Sequence, residues 1–168
     1  MNLYAYAGND PISYDDPFGL APDTSFADDR ARAETQQCIK ESQTCAASVA
    51  TLASDKNMWT ISTGSLPGSE TGEPSYKFSS NGSLAGGTIT VEGDDKKYTD
   101  LTNKAGYEIN YGTTLNHELA HVAGNIKMQK SGPITPKHHC DEKCALKADN
   151  AYRKEMGYKQ IKLRDQGQ

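Results

Sequence analysis

The stretch His117-Glu118-Leu119-Ala120-His121 places two histidines four positions apart, with a glutamate directly after the first. If this stretch is helical, residues four positions apart lie on one face, a single turn from each other. Two imidazoles in that arrangement can bind one Zn²⁺ ion, and the carboxylate between them can reach a water molecule at the metal as general base. The motif therefore predicts a helical zinc site with hydrolytic chemistry, with His117 and His121 as ligands and Glu118 as the catalytic base.

The residues around the motif favour a helix. Thr113, Thr114 and Asn116 offer side chains that can cap a helix start, and Gly124-Asn125 is typical of a helix end. We therefore expect the motif helix to begin near Thr113 and to end near Gly124.

Length and composition limit the class of protein. The chain has 168 residues, enough for one domain with a buried core, and its 35% hydrophobic content with 15 glycines predicts a loop-rich fold. A net charge of −4 gives no reason to expect binding to nucleic acid or to an acidic membrane. No apolar run approaches about 18 residues, so we expect neither a membrane span nor a signal peptide.

The hydrophobic pattern predicts an α+β fold. Apolar residues recur at three- and four-residue steps over about residues 25–54, which indicates a helix, whereas alternation over about 58–111, as in Trp59-Ile61 and Ile89-Val91, indicates a small, mostly antiparallel sheet. A loop rich in Gly and Pro follows the motif, and a last helix is expected over about residues 141–156. This order of elements suits the zincin class of metallopeptidases.

The first twenty residues carry a second pattern, rich in Tyr, Pro and Asp. It closely resembles the end of the core of Rhs/YD-repeat proteins, large shells that carry variable toxins at their C-termini. The matching positions are Asn2-Leu3-Tyr4-Ala5-Tyr6, Asn9, Pro11, Asp16-Pro17, Gly19 and Leu20. The resemblance implies that residues 1–20 close the Rhs core, that residues 21–168 are the toxin domain, and that the shell cuts the chain between Leu20 and Ala21.

The Rhs resemblance also implies a biological setting. The domain would be enclosed in the Rhs shell, delivered as a secreted effector, and active against a protein in a target cell. The producing bacterium would make a cognate immunity protein. The acids that perform the cut are expected to lie in the shell, so this chain alone should not cleave itself.

Two histidines leave a catalytic zinc ion one protein ligand short. The longer pattern HExxHxxGxxH is matched at Gly124, but Lys127 occupies its last position and cannot bind a metal while charged. A carboxylate from the downstream helix is the other solution, and Asp141, Glu142 and Asp149 are the candidates. Glu142 and Asp149, seven positions apart, fall on the same helical face.

The downstream helix resembles the tail of the effector metallopeptidases related to NleD, whose pattern is roughly EExxAVxLENxxRxExGxxxR. The resemblance covers about residues 113–164 and implies a third ligand at Glu142 or Asp149. Asp141 and Asp149 stand where the family has Glu, and the shorter reach of Asp149 favours Glu142, with the other carboxylate orienting a ligand histidine. The positions that match as they stand are Glu142, Ala145, Asn150, Arg153, Glu155 and Gly157.

Four further side chains are candidates for the site. His138 or His139 could reach the metal, or a substrate carbonyl as oxyanion stabiliser, from the Gly/Pro loop. Tyr152 and Tyr158 are weaker oxyanion candidates and could equally be packing residues.

The four cysteines form two sequence pairs, Cys38 with Cys45 and Cys140 with Cys144. Three disulfide connectivities are available. Pairing between the two helices would staple the first helix beside the metal-site helix, and would imply an oxidising compartment. A second zinc site formed by Cys140, Cys144 and a neighbouring histidine, or buried free thiols, are the alternatives.

These patterns together predict a zinc-dependent endopeptidase toxin with a zincin-like α+β fold. Two other interpretations stay open. One is a zinc amidase acting on peptidoglycan peptides, and the other is a non-enzymatic domain that zinc stabilises for binding.

Overall fold

The computed structural model describes residues 24–135 and 138–162. The first twenty residues and the expected cut at Leu20–Ala21 lie outside this part of the chain. Within it the fold is α+β, as predicted. In chain order the elements are β1 (Thr24–Phe26), α1 (Asp29–Glu41), α2 (Gln43–Ala53), β2 (Trp59–Gly64), β3 (Gly72–Phe78), β4 (Leu84–Glu92), α3 (Asp95–Ala105), α4 (Tyr111–Gln129) and α5 (Glu142–Glu155).

The four strands form one mixed sheet in the order β1-β2-β4-β3. β1, β2 and β4 run parallel, and only β3 is antiparallel, at the edge beside β4. The prediction of a mostly antiparallel sheet is therefore wrong. Alternation along a strand shows which face is buried, but it carries no information about the direction of the neighbouring strand.

The motif helix α4 lies at the centre of the fold, against β3, β4, α1, α2 and α5. Leu115, Leu119 and Val122 on this helix are fully buried in one core with Ile61 of β2 and Ile89 of β4. Because α4 is packed on several sides, the side chains it carries are held in a fixed position relative to the sheet.

The predicted first helix is divided into a strand and two helices. Asp28 caps the start of α1, and Ser42 ends α1 while its hydroxyl accepts a hydrogen bond from the backbone of Cys45 at the start of α2. Glu155 of α5 accepts a hydrogen bond from the same hydroxyl at 2.6 Å. A serine that caps in this way competes with continuation of the helix, which the apolar spacing does not reveal.

The motif helix is longer than predicted at both ends. Asn110 and Thr113 form a capping box, so α4 begins at Tyr111, and it continues past Gly124 to Gln129. A Cβ at Gly124 would lie 2.6 Å from Cys140 Cβ. The glycine therefore allows close approach of the Cys140 segment and does not end the helix.

Residues 95–105, which the alternating pattern placed in the sheet, form the helix α3. Asp94 caps its start, and Gly106 ends it with a left-handed φ of 71°. Tyr107 and Ile109, expected in a strand, lie in the connection from α3 to α4. The last predicted helix agrees with α5, which Asp141 caps.

The cysteines pair locally, Cys38 with Cys45 and Cys140 with Cys144. The first disulfide spans the break between α1 and α2, and the second spans the start of α5. The structure therefore contradicts three alternatives: a disulfide between α1 and the metal-site region, buried free thiols, and a second zinc site formed by these sulfurs. Within the described ranges, none of the helices has the length and apolar character needed to span a membrane.

Candidate metal centre and active site

Three side chains from two helices converge at one point. His117 and His121 project from α4 one turn apart, and Glu142 is the first residue of α5. The two histidine Nε2 atoms are 3.2 Å apart, and the Glu142 carboxylate oxygens lie 3.3 Å from each of them. These ligand atoms all lie within 4.8 Å of one another, so the group could hold a metal ion.

The spacing of the three ligand atoms fits zinc. Around a tetrahedral zinc ion with bonds of about 2.0–2.1 Å, neighbouring ligand atoms are about 3.3 Å apart. The observed separations of 3.2 and 3.3 Å match this value. Two imidazoles and one carboxylate are also a catalytic ligand set, because three protein ligands leave a fourth position for water or substrate. Among the described residues, the group contains these three members.

The second ring nitrogen of His121 is fixed by the backbone. Its Nδ1 donates a hydrogen bond of 2.8 Å to the carbonyl oxygen of Cys140. Since a carbonyl can only accept, the proton lies on Nδ1 and the Nε2 lone pair faces the ligand group. Burial lowers the pKa of His121 and favours the neutral ring that a metal requires.

Asp149 lies beside His117 but is not part of the ligand group. Its carboxylate is 3.8 Å from His117 Nδ1, is almost fully buried, and forms an ion pair with Arg153 at 3.2 Å. Arg153 also donates to the carbonyl oxygen of Glu108. Burial pushes the pKa of His117 down, but Asp149 and the other nearby carboxylates outweigh it and raise that pKa. Of the two carboxylates predicted for the third ligand, Glu142 belongs to the group that could hold a metal ion, whereas Asp149 lies near the other ring nitrogen of His117, where it could orient that ring.

Glu118 lies beside the ligand group in a dry environment. Its side chain is 8% exposed, and burial raises the pKa of its carboxyl group to about 7. Gly72 at the start of β3 lies directly against it, since a Cβ there would be 2.5 Å from Glu118 Cγ and Oε1. The carboxylate is therefore held between α4 and the edge strand.

A cleft of about 380 Å³ opens over these residues. Glu118, His121 and Glu142 from the two helices line it. Gly72, Pro74 and Tyr76 of β3 also line it, since alternate residues of a strand share a face. The cleft is thus bordered by two of the three candidate ligands, the candidate base and an edge strand.

Tyr76 and Asn125 belong to this cleft and were not predicted for it. The Asn125 amide donates a 3.0 Å hydrogen bond to the Tyr76 hydroxyl, and its oxygen accepts one of 2.6 Å from the backbone of Cys140. Burial raises the pKa of Tyr76 to about 12, so the phenol is protonated at neutral pH. Sequence patterns place Tyr76 in a strand and Asn125 near a helix end, and neither pattern carries a signal that the two residues meet.

The remaining predicted candidates lie outside the ligand group. His138 is directed toward the end of α4, where its Nε2 is 3.2 Å from the carbonyl oxygen of Met128. His139 lines the cleft, is exposed, and has its Nδ1 3.1 Å from the carbonyl oxygen of Thr135. The structure therefore leaves His139, and not His138, within the cleft.

Tyr152 lies far from the ligand group. It is ten positions after Glu142 on α5, about 15 Å along the axis, where its hydroxyl is close to Gly112. Tyr152 and Tyr158 line a separate cavity near α1 and α3. Of the roles predicted for these two tyrosines, packing fits their position.

No family model, no curated protein and no solved structure matches this chain. The candidate function therefore rests on the geometry described above and on the sequence patterns.

Proposed function

We propose that this domain is a zinc-dependent endopeptidase. The observation that carries the proposal is the convergence of His117, His121 and Glu142 in a zinc-compatible group, two of whose members line a cleft together with Glu118. A purely structural zinc site normally has four protein ligands, whereas this group has three among the described residues. That difference favours an enzyme over a zinc-stabilised binding domain.

The chemistry follows from the positions of the side chains. His117, His121 and Glu142 would hold the zinc ion, which supplies Lewis acidity when bound. Glu118 takes a proton from the attacking water while the water oxygen bonds to the peptide carbonyl carbon. It then delivers the proton to the amine nitrogen as the carbon–nitrogen bond breaks. The dry position of Glu118 against Gly72 suits a base that must both accept and return a proton near neutral pH.

The edge strand supports a peptide substrate and a zincin-like fold. β3 pairs with β4 on one side only, so within the described sheet its other edge is free to pair with an extended chain. We propose that the fold is zincin-like, because the motif helix packs against a mixed sheet and the next helix carries the third candidate ligand.

The N-terminal pattern supports a role as a delivered toxin. Residues 1–20 resemble the end of an Rhs core, so we propose that residues 21–168 are released by cleavage between Leu20 and Ala21 and act on a protein in a target cell. A cognate immunity protein and the Rhs shell are the partners that this proposal implies. Mass spectrometry of the intact shell and toxin would locate the cut, and a junction elsewhere would contradict this assignment.

The peptidase proposal is tested by adding the protein to bacterial and eukaryotic cell lysates and identifying the new protein N-termini that appear. The zinc-loaded wild type should generate new N-termini, and Glu118→Ala should reduce their rate of formation at least about a hundred-fold because it removes the general base. Zinc content, measured by elemental mass spectrometry, should be the same in both proteins. Equal cleavage by the variant would contradict the mechanism. Release of peptides from purified cell walls, without cleavage of lysate proteins, would favour the amidase.

A further inference from the structure

Among the described residues that line the cleft, Tyr76 is the only tyrosine, and it lines the same cleft as the candidate base Glu118. It stands on the edge strand β3, two and four positions after Pro74 and Gly72, with which it shares a face. Its ring is held edge-on against Trp59, with centroids 6.2 Å apart at 82°, and is tilted against Phe78 at 6.4 Å. The hydroxyl is therefore presented from a rigid support.

The hydrogen bonds of Asn125 determine which way the Tyr76 proton points. Asn125 Oδ1 is occupied as acceptor by the N–H of Cys140 at 2.6 Å, so the nitrogen of the same amide faces Tyr76. An amide nitrogen can only donate, and the Tyr76 oxygen must accept. The phenolic hydrogen thus has no acceptor among the described residues and remains available for a group that enters the cleft.

Hydrolysis of a peptide bond is assisted by such a hydrogen-bond donor. Negative charge develops on the carbonyl oxygen as water adds, and a preoriented hydrogen-bond donor in a partly buried site stabilises that charge without reorganising. Tyr76 meets this requirement because its ring is fixed, its oxygen is anchored and its proton is free.

We propose that Tyr76 is a catalytic residue of this site, donating its phenolic hydrogen bond to the carbonyl oxygen of the scissile bond, with Asn125 as its positioning residue. The inference rests on the endopeptidase function proposed above. It places the oxyanion stabiliser on the edge strand. The sequence patterns had instead suggested the loop histidines and the tyrosines in and after α5.

The test uses the zinc-loaded protein and a synthetic peptide that spans a bond cut by the wild type in lysate. Tyr76→Phe should lower kcat about 10²–10³-fold, as loss of one oxyanion donor does, and leave KM within about three-fold. Zinc content and the melting temperature should be unchanged, which separates lost catalysis from lost structure. Tyr98→Phe is the control, because Tyr98 is a buried tyrosine whose hydroxyl donates to the Glu92 carbonyl outside the cleft. Its kcat should equal that of the wild type.

The role of Asn125 is tested by a double-mutant cycle. Asn125→Asp keeps an acceptor for Cys140 but replaces the donor to Tyr76 with an acceptor, so the phenolic hydrogen turns away from the cleft. kcat should fall in the wild-type background and change little further in the Tyr76→Phe background. Independent, additive losses would contradict the positioning role.

The outcomes separate this inference from the proposed function. A wild type that cuts lysate proteins no faster than Glu118→Ala would overturn the endopeptidase and the role of Tyr76 with it. A wild type that cuts, together with a Tyr76→Phe variant whose kcat stays within three-fold, would overturn the role of Tyr76 alone.

Discussion

The position of the candidate base depends on a neighbour that has no side chain. Gly72 occupies the start of β3, where even one added carbon would meet the Glu118 carboxylate. The φ angle of Gly72 is not in the left-handed region, so the need for glycine here comes from the close approach of strand and helix. At the scale of single residues, the site is thus shaped as much by Gly72 as by the charged groups.

Gly72→Ala should impair catalysis without loss of metal. The new methyl group would displace the flexible Glu118 side chain, and a shift of about 1 Å in a catalytic group can cost about a hundred-fold in rate. We expect cleavage of the lysate-derived peptide to fall by that order, with zinc content and melting temperature near wild type. Ser75→Ala, on the exposed face of the same strand, is the control and should cleave normally. Full activity of Gly72→Ala would show that the contact with Glu118 does not position it.

The start of α5 joins the ligand group to a disulfide. Cys140 supplies the carbonyl that orients His121, and Cys144 closes the disulfide across the helix start. Glu142 lies between the two cysteines, and Asp141 caps the helix by accepting from the Cys144 backbone. At the scale of elements, one covalent loop of chain therefore carries both the candidate third ligand, Glu142, and the carbonyl that bonds to His121.

Opening this disulfide should weaken zinc binding. In a Cys140→Ser/Cys144→Ser variant, the loop that carries Glu142 and the Cys140 carbonyl is no longer closed, and we expect zinc affinity to fall about ten-fold or more. Competition with a chromophoric chelator measures the change, and a phosphine reductant should have the same effect on the wild type. The Cys38→Ser/Cys45→Ser variant is the control, because that disulfide spans α1 and α2 and should affect stability more than zinc affinity. Equal zinc affinities in the wild type and both variants would show that the Cys140–Cys144 disulfide does not support the metal site.

At the scale of the whole molecule, Glu92 connects three parts of the chain. Its carboxylate at the end of β4 accepts hydrogen bonds from the backbone of Leu66, Gly93 and Asp94, and pairs with Lys97 of α3 at 2.8 Å. Burial raises the pKa of this group, but Lys97 and the three backbone donors outweigh it and lower the pKa to about 2. The ionised form of Glu92 is therefore strongly favoured by folding.

The stability of the fold should decrease as the pH falls from about 4.5 toward 2. A carboxylate whose pKa is depressed in the folded state stabilises that state above its unfolded pKa, and the contribution is lost as the pH falls through the folded pKa. The lowering from 4.5 to about 2 corresponds to up to about 3 kcal/mol at neutral pH. Urea unfolding of Glu92→Gln should show reduced stability at pH 7 and a flatter dependence on pH. Glu70→Gln, at an exposed position, is the control. A Glu92→Gln profile equal to that of the wild type would contradict this assignment.

The local part of the site could be predicted from the sequence. His117, Glu118 and His121 lie within five consecutive residues, and helical geometry alone puts the two histidines on one face. The α+β class and the helix after Asp141 were also predictable, because apolar periodicity and a capping residue act over a few positions. The break at Ser42 and the directions of the strands were not predicted, since Ser42 is also held by Glu155 of the distant α5 and strand direction depends on pairing between distant segments.

What the sequence determines about this protein is the chemistry that it carries: two imidazoles and a carboxylate on one helical turn, and two carboxylates on the next helix. Only the tertiary structure distinguishes Glu142 from Asp149, because the packing of α5 on α4 brings one to both Nε2 atoms and the other to His117 Nδ1. The same packing brings the Cys140 segment to Asn125, and the edge strand brings Tyr76 to the amide. Residues far apart in the sequence meet only when the core forms, so their roles follow from the fold.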